Sequence, residues 1–196
     1  MTGRHTLRPL VAMLALGLTA SCSPSPPPPP AEPSVSVPPI PGTGLGGTSR
    51  FQADPCTAVT VEQLNDLGFT GGDRSSDGHR CVTKFGPVAG VDTWSPGDSL
   101  RTLYLEHARG HDTGNHWEPI TIDTVHPAVI VAIDENVPSK QADGPLGCTL
   151  ALAADNNTLI YINAATYGKA EAGPWLHDPC GAAQKVAELA VHNLTT

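Results

Sequence analysis

The residues best suited to chemistry crowd into one segment, Glu106-His107-Ala108-Arg109-Gly110-His111-Asp112-Thr113-Gly114-Asn115-His116-Trp117-Glu118. His107 and His111 stand at i and i+4, on one face if the segment is helical. With His116, Asp112 and Glu118 they could complete a nitrogen and oxygen set for zinc or copper. Gly110 and Gly114 interrupt a continuous helix, and exposed polar loops collect histidine without binding metal. The expectation is a solvated loop, with His107, His111 and His116 as weak metal candidates and no assigned metal or cofactor. A milder role is pH sensing, since imidazoles titrate near pH 6.5.

Other chemistry has less support. Asp123 and His126 lie close together, with Ser95 and Ser99 upstream, which is compatible with a hydrolytic triad. No G-x-S-x-G elbow singles out either serine, and no P-loop or G-x-G-x-x-G motif appears. The paired Asp134-Glu135 reads as the exit of a strand. Trp94, Trp117 and Trp175 fall in expected loops beside Pro96, Pro119 and Pro174. Loop aromatics of this kind either line a ligand groove or cover the edge of a core.

The five cysteines divide into one and four. Cys22 closes a short apolar stretch, whereas Cys56, Cys81, Cys148 and Cys180 lie beyond a proline-rich tract. Arg4 and Arg8 precede Pro9 to Ala20, an apolar run of about a dozen residues that is too short to span a bilayer. It ends in Leu18-Thr19-Ala20-Ser21-Cys22, the pattern of a bacterial lipobox with Thr19 at a usually aliphatic position. Residues 1–21 are therefore read as a signal peptide and Cys22 as the lipidated first residue of the mature chain. Two or three acyl chains there would meet the requirement for stable anchoring. Residues 22–49, with Pro26 to Pro30 unbroken, are read as a disordered spacer, and about 20 extended residues would reach roughly 60 Å.

Residues 50–196 are long enough for one domain with a real core. The chain holds 11 Lys plus Arg and 19 Asp plus Glu; setting aside Arg4, Arg8 and Glu32 leaves 9 against 18, a net of −9 for the domain. That balance argues against nucleic acid and against broad contact with anionic headgroups. Three each of Trp, Tyr and Phe are too few for a large aromatic sugar platform. The four distal cysteines suit an oxidising compartment, and no two have C-x-x-C spacing. They allow three pairings, of which the two local ones, Cys56–Cys81 and Cys148–Cys180, are favoured.

These groups need elements to position them. Thr60-Val61-Glu62-Gln63 has capping-box form, and Val61, Leu64 and Leu67 recur at helical spacing, which predicts a helix over 60–67. Strands are predicted over 80–85, 100–106, 128–133, 148–153 and 159–164, with a hairpin turn at Asp155-Asn156-Asn157-Thr158. Asp178-Pro179-Cys180 starts a last helix over 179–194, with Asp178 as N-cap and Pro179 at N1. The expected fold is α+β: a mainly antiparallel sheet of about five strands packed by an N-terminal and a C-terminal helix, with two disulfides.

The order of these features carries a resemblance. A lipobox and proline linker lead to Asp54-Pro55-Cys56 with Thr60-x-x-Gln63-Leu64-x-x-Leu67-Gly68. Cys81, His126-Pro127-Ala128-Val129, Cys148 and Pro179-Cys180-x-x-Ala183-x-x-Val186-Ala187 follow. The pattern resembles the actinobacterial lipoproteins of domain-of-unknown-function family 3558, which include the mycobacterial LprB/LprC type. It departs at Cys81-Val82-Thr83, where that family commonly has Cys-x-Trp. The resemblance implies a lipid-anchored envelope protein with no established activity, so no functional residues carry over.

Together these readings point to a lipoprotein on the extracytoplasmic face of the cell membrane. It would be a non-enzymatic binding or accessory module for an envelope protein or small ligand, using a sheet face and the loops at 86–98, 107–118 and 134–147. The alternative is a metal-binding or hydrolytic envelope enzyme using the His107–His116 segment.

Overall fold

A computed structural model describes residues 31–85, 89–95, 97–111, 114–134, 146–166 and 170–196, and Pro33–Thr196 is the unit considered below. Its strands are β1 (Asp73–Ser76), β2 (Arg80–Phe85), β3 (Ala89–Trp94), β4 (Glu118–Ile122), β5 (His126–Asp134), β6 (Gly147–Asp155) and β7 (Thr158–Ala165). Its α-helices are α1 (Thr48–Ala53), α2 (Val61–Asp66), α3 (Leu100–Ala108) and α4 (Pro179–Thr195). The strands form one antiparallel sheet in the order β1-β2-β3-β7-β6-β5-β4. Two meanders, β1–β3 and β4–β7, are thus joined where β3 pairs with the last strand.

The side-chain pattern explains both faces. Strand residues alternate between faces, so a strand covered on one side shows polar alternation and one covered on both does not. The first face presents Phe85, Val91, Ile130, Leu150, Leu152, Ile160 and Ile162, all buried. Against it lies α4, whose Ala182, Ala183, Val186, Ala187, Ala190 and Leu194 are buried in the same cluster and which contacts β6 and β7. The alanines let the helix axis approach the sheet closely. Asp178 caps α4 by accepting from the Gly181 N–H at 2.8 Å, with Pro179 in the first turn.

Among the described residues the second face is covered over one half only. Val129, Val131, Ala151, Ala153 and Leu159 project there and meet Leu100 and Leu103 of α3, with Tyr104, Trp117 and Tyr161 packed around them. Val37 and Ile40 pack on the same cluster. Leu45 is buried on the first face, and its N–H donates to the Ala154 carbonyl. Packed residues therefore begin ahead of the expected domain start at residue 50.

Four expected strands, the capping-box helix and the last helix stand close to their predicted limits. The sheet, however, has seven strands rather than about five. The strand expected over 100–106 is instead α3. Leu100, Leu103, Tyr104 and His107 share one helical face, and the Ser99 hydroxyl accepts from the Thr102 N–H at 3.1 Å, capping the helix. The unforeseen strands lack a strong apolar signal: β1 is Asp-Arg-Ser-Ser, β3 contains Gly90 and Asp92, and β4 contains Pro119. Proline is tolerated in β4 because that strand is an edge of the sheet.

The structure pairs Cys56 with Cys81 and Cys148 with Cys180, with Cα–Cα distances of 4.9 and 5.0 Å. The first bridge ties the turn before α2 to β2; the second ties the first turn of α4 to β6. The capping box of α2 closes in both directions: Gln63 N–H donates to the Thr60 hydroxyl and Thr60 N–H to the Gln63 side-chain oxygen. Among the described residues no helix is long and apolar enough to cross a membrane. Cys22 lies outside the described residues.

Candidate functional site

The histidine-rich segment is built into the fold. α3 ends at Ala108, and the stretch after it returns to the second face beside β5. β5 shifts register between Ile130 and Ala132, which leaves the Val131 carbonyl out of the regular ladder. The His116 N–H donates to that carbonyl at 3.2 Å. Asn115 then imitates a strand: its side-chain oxygen accepts from the Ile133 N–H at 2.9 Å and its amide donates to the Ile133 carbonyl at 2.7 Å. Gly114 must be glycine, since a Cβ would sit 1.8 Å from the Val131 oxygen.

The three histidines take separate surroundings. His107 lies flat on Trp117, with ring centroids 3.9 Å apart and planes within 4°. His111 Nδ1 is 3.3 Å from Glu106, which also accepts from Arg109 at 2.7 Å. His116 Nε2 is 3.2 Å from Glu118. Among the described residues no group of three or more His, Cys, Asp or Glu side chains is placed to hold a metal; Asp112 lies outside them. A cleft of about 70 Å³ does open between α3 and the sheet, lined by Asp98, Leu103, Glu106, His107, His116 and Trp117 among others.

The triad candidates are not brought together. Ser99 caps α3 on the second face, and Ser95 follows β3. His126 opens β5, two strands beyond β7 on the far side of the sheet. Three interstrand spacings of about 4.8 Å put β3 roughly 14 Å from β5. Asp123 and Thr124 form the β4–β5 turn with φ of 47° and 65°. Glu135 lies outside the described residues, and Asp134 is the last residue of β5.

Trp94 ends β3 instead of standing in a loop, and it faces the uncovered half of the sheet. Trp117 does lie in the connection to β4. Trp175 covers the first core, donating its indole N–H to the Leu67 carbonyl at 2.7 Å.

A second groove lies on that uncovered half. It measures about 440 Å³ and is lined by Asp77, His79, Arg80, Asp92, Trp94 and Asn163, with Ser95 at one end. A shallower hollow of about 280 Å³ shares His79 and Ser95 and continues toward Gln52 and Pro55. Sheet register assembles it. Arg80, Trp94 and Tyr161 are direct cross-strand neighbours in one row, and Val82, Asp92, Asn163 and Thr149 form the next. Trp94 and Tyr161 stack at 5.5 Å with planes 14° apart, making an aromatic wall. The Asn163 amide donates to the Thr149 hydroxyl at 2.9 Å, which orients it.

Charge in the groove is poorly compensated. Arg80 Nε pairs with Asp77 at 3.6 Å, a contact exposed on both sides. Asp92 has no hydrogen-bond or ion-pair partner among the described residues. Burial raises the Asp92 carboxyl above the ordinary aspartate range, and the charges of Arg80 and Lys84 only partly oppose this. Burial likewise raises the Tyr161 hydroxyl, with the Asp98 charge adding to it. Asp77 is lowered, first by the hydrogen bond from the His79 N–H.

The raised Asp92 fixes the sign of a stability effect. Its folded-state pKa exceeds the unfolded value of about 3.9, so the ionised carboxylate opposes folding above the folded pKa. The opposition fades as pH falls through that value. Asp92→Asn is therefore expected to stabilise the fold at pH 7, by a few tenths of a kcal/mol once solvent screening is allowed for, or about 1 °C in Tm. Thermal melts of both chains should differ in that direction at pH 7 and converge near pH 3. A variant that melts lower at pH 7 would contradict the assignment.

A family model described as "Protein of unknown function (DUF3558)" matches residues 17–193. No curated protein matches the chain, and no solved structure does.

Proposed function

The chain belongs to the DUF3558 family, and from that premise we propose that it is a lipid-anchored binding module of the cell envelope. Cys22 would hold it on the extracytoplasmic face of the cell membrane, in the manner of the LprB/LprC-type actinobacterial lipoproteins. It would bind an envelope protein or small ligand without turning over a substrate. The family match starts at residue 17 and so takes in Leu18 to Cys22, which supports the tether as part of the family pattern. Val37 and Ile40 already pack on the domain, so a spacer would run at most from Ser23 to Ser36. Extended, those residues reach about 45 Å.

The observation that carries the reading is the uncovered half of the second face. A sheet buried on one side and helix-covered over half of the other presents Asp92, Trp94 and Asn163 in a groove of about 440 Å³. That size suits a small molecule or a few side chains of a partner.

Two experiments test this. Cys22→Ser should abolish partition of the protein into the detergent phase; unchanged partition would refute the lipid anchor. Photoreactive residues at Val82 or Lys84, on the open face, should crosslink in the native envelope far more than ones at Lys185 or Glu188 on the exposed side of α4. Comparable yields from both positions would overturn the open face as the binding surface.

A further inference from the structure

The groove's own chemistry narrows what it takes. Two acceptor groups stand side by side across the β3–β7 pairing, the Asp92 carboxylate and the side-chain oxygen of Asn163. The Asn163 amide donates one N–H to the Thr149 hydroxyl, and its side-chain oxygen accepts no hydrogen bond among the described residues. Asp92 is half-buried and accepts no hydrogen bond among the described residues, with the charges of Arg80 and Lys84 only partly opposing its burial. Arg80, the nearest guanidinium in the groove, is drawn to Asp77 at the rim. Adjacent acceptors of this kind are complementary to a ligand rich in N–H groups, as an ammonium with three or a guanidinium with five.

Two further features agree. Trp94, its ring stacked on Tyr161, lines the groove with Asp92, and an aromatic ring next to a carboxylate favours a cation within about 6 Å. The domain carries a net charge near −9 from the sequence, which attracts cations and repels anionic competitors. An anionic ligand would meet Asp77 and Asp92 together, offset only in part by Arg80 and Lys84.

We propose that the Asp92–Asn163–Trp94 groove binds a small organic cation, a primary amine or guanidinium on a short chain or ring, its charged end on Asp92 and Asn163 and its body along Trp94. The proposal rests on the open face being the binding surface, and deepens it. The groove volume holds one such molecule and leaves the Trp94–Tyr161 stack intact.

The probes are tyramine and agmatine, with N-acetyltyramine as the uncharged control, titrated by calorimetry into the mature lipoprotein in neutral detergent. Both amines should bind, and N-acetyltyramine should bind at least tenfold more weakly. Asp92→Asn, which keeps shape and removes charge, should weaken tyramine at least tenfold while the chain stays folded by circular dichroism. Trp94→Phe should remove the tyramine-dependent change in indole fluorescence. Equal binding of N-acetyltyramine, full affinity in Asp92→Asn, or no heat from either amine at 10-millimolar excess would each overturn the cation assignment. Failure of the amines with crosslinking still confined to Val82 and Lys84 would remove the ligand class alone. Loss of that confinement would remove the binding surface itself.

Discussion

Replacing Cys148 and Cys180 together with alanine is expected to destabilise the domain by about 3–4 kcal/mol. The bridge closes a loop with a sequence separation of 32 residues, and the chain-entropy relation gives about 3.7 kcal/mol for a loop of that size. At about 2–4 °C per kcal/mol for a chain of this length, Tm should fall by roughly 10 °C. Position adds to the effect. Cys148 is buried in the first core, and Cys180 lies in the first turn of α4. The bridge thus holds the N-terminus of the long helix against the central strand β6, beside the Asp178 cap. Urea unfolding should show the midpoint move down, with the slope rising if the unfolded chain becomes less compact. Unchanged midpoints for the double variant would show that helix packing alone holds α4.

Arg74→Met is expected to cost about 2–3 kcal/mol, a large effect for a residue in a short polar strand. Its guanidinium reaches three acceptors: Nε donates to the Thr83 hydroxyl at 3.4 Å, one terminal nitrogen to the Cys56 carbonyl at 3.2 Å, and the other to the Val59 carbonyl. Those partners span β2 and both sides of the turn before α2. Removing the donors strands two backbone carbonyls in a half-covered place, at about 1–3 kcal/mol each before water repairs some of the loss. Burial lowers the Arg74 pKa, but guanidinium stays charged throughout the usable range. Arg74→Lys should recover little, because one ammonium cannot span three carbonyl and hydroxyl oxygens as a planar fork does. Denaturant unfolding of the three chains should rank wild type well above both variants. A lysine variant of wild-type stability would reduce the role of Arg74 to its charge.

Arg74 also illustrates what was hidden in the sequence. Asp73-Arg74-Ser75-Ser76 has no apolar alternation, and its strand state depends on pairing with β2. The segment 100–106 is ambiguous for a different reason. Leu-Arg-Thr-Leu-Tyr-Leu-Glu suits either a strand or a helix by content, and the deciding residue was Ser99, whose cap lay outside the apolar run. The histidine segment was legible as a polar loop, but its docking was not. Gly114, Asn115 and His116 are explained by the bulge at Val131, a feature of strand register with no local sequence mark.

The open groove was the least legible part. Asp92 carries no local signal because it sits near Gly90 in a weak strand, and Asn163 is one polar residue in an apolar run. They meet only because β3, which ends the first meander, pairs with β7, which ends the second. The aromatic wall arose the same way: Trp94, expected in a loop, faces Tyr161 across that seam.

By itself the sequence determined features whose causes are local. Capping residues at Thr60 and Asp178, the apolar runs of the central strands, the acidic balance and the spacing of Asp-Pro-Cys from its partners act within a few turns of chain, and they specified helices, strands and an α+β class. Tertiary structure decided which half of the second face stays open. That outcome depends on where α3 crosses the sheet, on Val37 and Ile40 joining it there, and on the pairing of β3 with β7. Each is a contact between residues distant in the chain, whose energy exists only once the sheet has formed.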